Sequence, residues 1–257
     1  MAEHQDLQAP PERLGDVDHP RASLKLSCIA APYAELAPHA AQHAWSHVDS
    51  LAKRLEGEAD VRRDRATKSR MRLARFPVIK TFEPFRWDWP PRMHRLQVHN
   101  HFRLAFIKDQ ANLIFLGGGG LGQTHLATAL GYAACLQGHA GLFASAIEVI
   151  NTLAAAKSAG RLKAELKKYT QPALLILDEL GYLPIDKTGA DLLFQVISLR
   201  YEQGAIILPS NRALKEWPTL FHHDSPLTSA VLDRLLHQAE TVSIEGKRCR
   251  MKDQIES

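Results

Sequence analysis

At 257 residues and 45% apolar composition, the chain can bury one core of about 150 residues or more and still carry a smaller appendage. A net charge of +4 permits a polyanionic partner without identifying one. Three scattered cysteines (Cys28, Cys135, Cys249) argue against a disulfide framework or a cysteine zinc site. No run reaches the roughly 18 apolar residues of a membrane span, and the acidic, proline-containing start is not a signal peptide, so no membrane is expected and the reducing cytoplasm is the expected compartment.

In chain order, Met1 to Ser23 is polar and interrupted by Pro10, Pro11 and Pro20, and it reads as a flexible tail. Leu24 to Gly57 turns helical, with Leu51 and Leu55 one turn apart. Glu58 to Lys80 is dense in charge. Arg62, Arg63, Arg65, Lys68, Arg70, Arg72, Arg75 and Lys80 face a single acid after Asp60, namely Asp64. A helix to Arg75 would carry basic side chains around most of its circumference and a thin apolar stripe. Such a helix either lies in solvent or meets a polyanion. Arg62, Arg65 and Arg72 are the candidates for contact with DNA phosphates, which would make affinity fall steeply with salt. Residues 24–80 are thus expected to form a helical DNA-binding domain, and 81–257 a second domain.

Phe76-Pro77 ends the basic helix. Thr81 to Arg92 sets Phe82, Phe85, Trp87 and Trp89 among three prolines, a helix-breaking linker. Its rings either pack the seam between two domains or, for Phe82 or Phe85, line an adenine pocket. Met93 to Lys108 has a helical pattern. Strands then alternate with helices: Leu113–Leu116, Gly141–Ala144, Leu174–Leu177, Ala205–Leu208 and Thr241–Ile244 as strands, with helices at His125–Gln137, Ala146–Ala159, Arg161–Tyr169, Thr188–Tyr201 and Ser229–His237. Alternation of this kind predicts an α/β fold, a five-stranded parallel sheet between helices.

The first of those strands runs into Gly117-Gly118-Gly119-Gly120-Leu121-Gly122-Gln123-Thr124-His125, and a helical pattern follows. Strand, glycine-rich loop and helix frame a phosphate site, because backbone N–H groups can turn inward around an anion at a helix start. The spacing Gly117-x-x-x-x-Gly122-x-Thr124 is that of a Walker A loop, with Gln123 where the lysine belongs. The same letters also satisfy a dinucleotide fingerprint, which wants an acid at the end of the next strand; that strand ends at Ser145 instead. Leu174 to Asp178-Glu179 is a Walker B pattern, and the two motifs together favour an NTPase-type site over a dinucleotide site. Thr124 and Asp178 are the expected Mg²⁺ ligands. Glu179 is placed to orient or deprotonate water. Asn211, after the fourth strand, fits a sensor of the γ-phosphate, and Arg234 fits a finger reaching a neighbouring subunit's nucleotide.

The runs Gly-Gln-Thr-His-Leu-Ala, Leu-Leu-Ile-Leu-Asp-Glu-Leu-Gly-Tyr, Pro-Ser-Asn, Glu216-Trp217 and Ala230-Val-Leu-Asp-Arg-Leu-Leu-His237 resemble the IstB family. These are AAA+ helper ATPases of insertion-sequence transposases, related to the DnaC and DnaI helicase loaders. The likeness runs from about Leu24 to Arg250. It implies a P-loop NTPase core of AAA+ type, a helical DNA-binding domain, and ATP-dependent homo-oligomers on double-stranded DNA that recruit a transposase. The family's Gly-Pro-Pro-Gly-x-Gly-Lys-Thr is altered here at Gly118, Gly119 and Gln123. Glycine for proline raises the entropy of the free loop. Glutamine for lysine loses one charge-assisted contact, roughly 1.5–3 kcal/mol or about 10- to 150-fold in affinity, while an N–H donor remains. Binding with impaired turnover is the expectation. The rivals are a DNA-binding scaffold with a vestigial nucleotide site and a DnaC-like helicase loader.

Overall fold

The computed structural model describes residues 39–40, 42–78, 80, 92–181, 185–221 and 225–246. The tail to Ser23, the linker rings Phe82, Phe85, Trp87 and Trp89, and the cysteines Cys28 and Cys249 lie outside those residues, as does the helical reading from Leu24 to Pro38. The chain divides into two compact units, Met1–Lys68 and Ser69–Ser257.

Residues 47–68 of helix α1 (His47–Ala74) supply most of the described part of the first unit, and its last six residues fall in the second. Its start is a reciprocal cap. Ser46 N and Oγ donate to Asp49 Oδ2 at 3.1 and 2.7 Å, and Asp49 N donates back to Ser46 Oγ at 3.1 Å. The Ser46 hydroxyl, and then its N–H, hold the Asp49 carboxyl below its usual range. Two stretches that the sequence presents separately, before and after Gly57, form this one helix, because no proline interrupts them. Pairs one turn apart, Lys53–Glu56, Arg62–Glu58 and Arg63–Asp60, support a helix whose outer surface is charged.

The second unit contains a six-stranded sheet. β1 (Arg92–Met93), β2 (Asn112–Gly117), β3 (Gly141–Ser145), β4 (Leu174–Asp178), β5 (Ala205–Ser210) and β6 (Ala239–Glu245) lie in the order β1-β6-β2-β5-β4-β3. The last five are mutually parallel, as expected; β1 is an added antiparallel edge on β6. Two residues give too short a run for periodicity to reveal, so β1 went unforeseen.

Parallel strands covered on both sides read as unbroken apolar runs. Leu113, Phe115, Leu174, Ile176 and Ile207 pack on one side with α2 (Arg95–His101), α3 (Ala105–Lys108) and α4 (Gln123–Leu136). Ile114, Leu175, Leu177, Ile206 and Leu208 pack on the other with α5 (Ala146–Ser158), α6 (Leu162–Thr170), α7 (Lys187–Arg200) and α8 (Ser225–Leu236). The period of two along each strand sorts the side chains between these layers.

Two local readings differ from expectation. The helical pattern from Met93 to Lys108 breaks into two helices at Leu104, whose φ of 60° ends regular winding. A 3-10 helix, Leu214–Thr219, follows β5 and buries Trp217. Topology decides the rest. β5 is inserted between β2 and β4, so the loop after β2, the acids after β4 and the Ser-Asn after β5 leave the sheet at the same edge.

Candidate functional site

The loop starts where β2 meets β6. A Cβ at Gly117 would collide with the carbonyl oxygen of Ile244, so the close approach of these strands requires glycine. Gly120 and Gly122 have φ of 83° and 95°, a region costly for other residues. Gly118 and Gly119 are different. Neither has a positive φ, and a Cβ would find its nearest atom at 3.7 Å for Gly118 and nothing within 4 Å for Gly119. The loop's shape demands the last two glycines and merely tolerates the two before them. Leu121 anchors the turn in the core.

Gly122 precedes α4 as its N-cap and offers no side-chain acceptor. The first N–H groups of α4, at Gln123, Thr124 and His125, therefore form an N-terminus without a side-chain cap, with the partial positive charge of the helix behind it. Backbone donors in this arrangement fit a phosphate.

Thr124 and Asp178, 54 residues apart in sequence, meet: Thr124 Oγ1 donates to Asp178 Oδ1 at 3.3 Å. The same oxygen accepts from Glu179 N at 2.8 Å. Asp178 is only 9% exposed. Burial pushes its carboxyl above the usual range, with the Glu179 N–H and the Thr124 hydroxyl pulling the other way. A hydroxyl and a carboxylate in contact, beside backbone donors for phosphate, fit Mg²⁺, which takes few protein ligands. Glu179 is exposed and sits at φ 60°, a left-handed conformation that costs roughly 1–2 kcal/mol for a residue with a Cβ. Strain of this kind gathers where a side chain must be aimed.

Gln123 does not do what its place in the motif suggests. Its side chain is buried, and Nε2 donates to Gly117 O at 2.6 Å and to Ser210 O at 3.2 Å. Both neighbours are carbonyl oxygens, so only the nitrogen end of the amide fits there. The two amide hydrogens are spent joining the ends of β2 and β5. Turning the amide toward a phosphate would gain one charge-assisted bond and give up two buried ones, each worth about 1–3 kcal/mol when its partner is left unpaired. The joint holds.

Asn211 is exposed directly after β5, at the edge shared with the loop and Asp178. Its neighbour Arg212 escaped the sequence reading. Arg212 Nε donates to Gly181 O at 2.7 Å, and its backbone N donates to Ser210 Oγ at 3.2 Å. It thereby ties the exit of β5 to the turn that follows Glu179. Only its position beside Asn211 marked it in the sequence.

Arg234 is elsewhere. Its guanidinium lies 4.8 Å over the Phe194 ring and donates to Ala230 O at 3.1 Å. It lines a cavity with Asn112, Arg200 and Ile206, at the ends where β2 and β5 begin. A six-residue strand, about 20 Å, separates it from the loop of its own chain. Arg62, Arg65 and Arg72 are exposed on α1, and Arg62 Nε is held by Glu58 Oε1 at 3.0 Å.

The family model described as IstB-like ATP binding protein matches residues 20–257. The chain belongs to that family. It is 38% identical over 230 residues to the insertion sequence IS232 putative ATP-binding protein of Bacillus thuringiensis subsp. berliner, covering 90% of this chain and 92% of the relative. The IS21 putative ATP-binding protein of Pseudomonas aeruginosa is also 38% identical, with coverage of 90% and 86%. Among solved structures, DnaI superposes with a TM-score of 0.55 at 15% identity, over 68% of this chain and 93% of that one. AMPPCP-bound DnaA from Aquifex aeolicus gives 0.54 at 21% identity, over 71% and 55%. The fold is that of a P-loop AAA+ protein. Among the described residues, no helix is long and apolar enough to cross a membrane.

Proposed function

We propose that this chain binds ATP with Mg²⁺ at the Gly117–His125 loop, assembles as a homo-oligomer on double-stranded DNA in the cytoplasm, and assists a transposase in choosing or engaging its target. The carrying observation is the 3.3 Å contact between Thr124 and Asp178 beside a helix start that no side chain caps. Backbone N–H groups from Gly118 to His125 would hold phosphate oxygens, and Thr124 with Asp178 would hold the metal, which would supply positive charge against the triphosphate. Glu179 orients the attacking water and Asn211 contacts the γ-phosphate. Arg234, remote from the loop of its own chain, serves the site of a neighbouring copy. Turnover is impaired because Gln123 spends its donors on Gly117 O and Ser210 O.

Two measurements test this. A fluorescent ATP analogue titrated with and without Mg²⁺ should bind more tightly with the metal; no binding at millimolar nucleotide removes ATP from the reading. Phosphate release with and without duplex DNA should be slow, and Gln123→Lys should raise it by roughly 10-fold or more. An unchanged rate in that variant, against a measurable starting rate, would show that Gln123 is not the brake.

For DNA, Arg62, Arg65 and Arg72 together carry affinity. Their triple alanine variant should bind duplex DNA more weakly, with a salt slope reduced by up to about 3. Unaltered affinity and slope would remove these arginines from the interface. A second reading, a DNA-binding scaffold whose nucleotide site is vestigial, is favoured by the same two bonds of Gln123. It predicts DNA binding that ATP leaves unchanged.

A further inference from the structure

Among the described residues, the strand ends that deliver the site carry acids and a single base. Among the described residues, Glu148, Glu179 and Arg212 stand within three residues of the C-terminal ends of the parallel strands, and Asp178 and Glu245 end β4 and β6 themselves; Lys247 and Arg248, which follow β6, lie outside the described residues. Among the described residues, Arg212 is the one lysine or arginine in that set. A magnesium triphosphate is still anionic, and Asp178 and Glu179 add two carboxylates beside it. The loop that ordinarily answers this with a lysine has an uncharged amide, already committed to two carbonyls.

Arg212 is fixed as a usable cation. Nε donates to Gly181 O at 2.7 Å and the backbone N to Ser210 Oγ at 3.2 Å, so the side chain is held at Nε and the backbone at its N–H. Its outer nitrogens make no ion pair among the described residues. A guanidinium pinned through Nε presents Nη1 and Nη2 as a planar pair of donors, the geometry that suits phosphate oxygens. Ser210 joins the two positions: its carbonyl accepts from Gln123 Nε2, and its hydroxyl accepts from Arg212 N. The residue that lacks the charge and the residue that has it thus grip the same strand end.

We propose that Arg212 supplies to the terminal phosphate of a bound nucleoside triphosphate the positive charge that the loop lacks at Gln123. This rests on the nucleotide reading of the loop. It makes the site selective for the triphosphate over the diphosphate by way of β5 rather than the loop.

The test is calorimetric titration of the full chain, in magnesium, with ADP and with a methylene-bridged ATP analogue. The unaltered protein should prefer the triphosphate analogue by about tenfold or more. Arg212→Ala should reduce that preference to near unity while ADP affinity stays within about threefold. Arg212→Gln keeps a donor for Gly181 O but not the charge, and should behave the same way even if the alanine variant folds poorly. Arg212→Lys should retain part of the preference, and Gln123→Lys added to Arg212→Ala should restore it. Retention of the full preference in Arg212→Gln would overturn the proposal. So would an equal fall for both nucleotides, which would assign Arg212 to holding Gly181 alone. If the unaltered protein binds neither nucleotide, the reading of the loop itself fails, and this inference with it.

Discussion

Gln123 and Arg200 stand at opposite edges of one sheet, and each spends its donors on backbone carbonyls. Arg200, at the end of α7, is 1% exposed and donates from Nη1 to Tyr169 O and Pro172 O at 2.8 and 2.9 Å, and from Nη2 to Ala173 O and Ala205 O at 3.3 and 2.7 Å. It joins the approach to β4 with the start of β5. Burial without a carboxylate partner lowers its guanidinium to about 10, so it remains charged at neutral pH. Gly204 leaves room for it; a Cβ there would stand 2.6 Å from Nη2. Gln123 makes the equivalent joint between β2 and β5 at the other edge, with two bonds in place of four. The difference lies in what each joint displaces. At the edge of Arg200 the donors only join backbone segments. At the loop edge, on the proposed reading of the loop, the joint takes the place from which a cation would serve the phosphates.

The largest test of this parallel is Arg200→Ala. It should cost at least about 3 kcal/mol in urea unfolding, since four carbonyls lose their donor and a cavity opens. A loss under 1 kcal/mol would mean that water replaces the guanidinium at no cost. Next, Gln123→Ala should cost about 2 kcal/mol of stability and change nucleotide affinity by less than about threefold. The reverse pattern, stability kept and affinity lost, would put Gln123 on the phosphates and end the comparison.

Smaller effects separate the glycines. Gly122→Ala forces a Cβ onto a φ of 95° and should cost about 1–2 kcal/mol. Gly119→Ala should gain about 0.4–1 kcal/mol, since nothing obstructs its Cβ and the unfolded chain loses freedom. Equal effects at the two positions would show that the loop adopts another shape in solution. Smallest in stability is Asp178→Asn. Burial holds this carboxyl above its usual range, so its ionised form opposes folding at neutral pH, and that opposition fades as pH falls through the raised value. Asparagine keeps an acceptor for the Thr124 hydroxyl and the Glu179 N–H. The variant should therefore melt at or above the unaltered protein's temperature at pH 7 and lose the Mg²⁺ dependence of nucleotide binding.

Much of the fold was legible because the parallel strands are covered on both sides. Leu113 to Leu116 and Leu174 to Leu177 could be neither surface nor amphipathic, and each was found within a residue or two of its observed bounds. What escaped was short or irregular: the two-residue β1, the break at Leu104 and the 3-10 turn at Leu214–Thr219. These depend on a single φ or on a neighbouring strand, and neither leaves a periodic trace. The contact between Thr124 and Asp178 was foreshadowed by the spacing of their motifs, whereas the bond from Arg212 to Gly181 belongs to no motif.

The sequence alone determined that strands alternate with helices, that a glycine-rich turn precedes α4, and that the lysine is missing from it, because each of these is local. Only tertiary structure decided where the donors of Gln123 go, since Ser210 lies 87 residues away and β5 must first insert between β2 and β4. It likewise decided that Arg212 holds Gly181, 31 residues distant, and that Arg234 lies a strand's length from the loop of its own chain. A side chain's identity sets which bonds it can make. Which of them it makes is set by the partners the topology brings within about 3 Å.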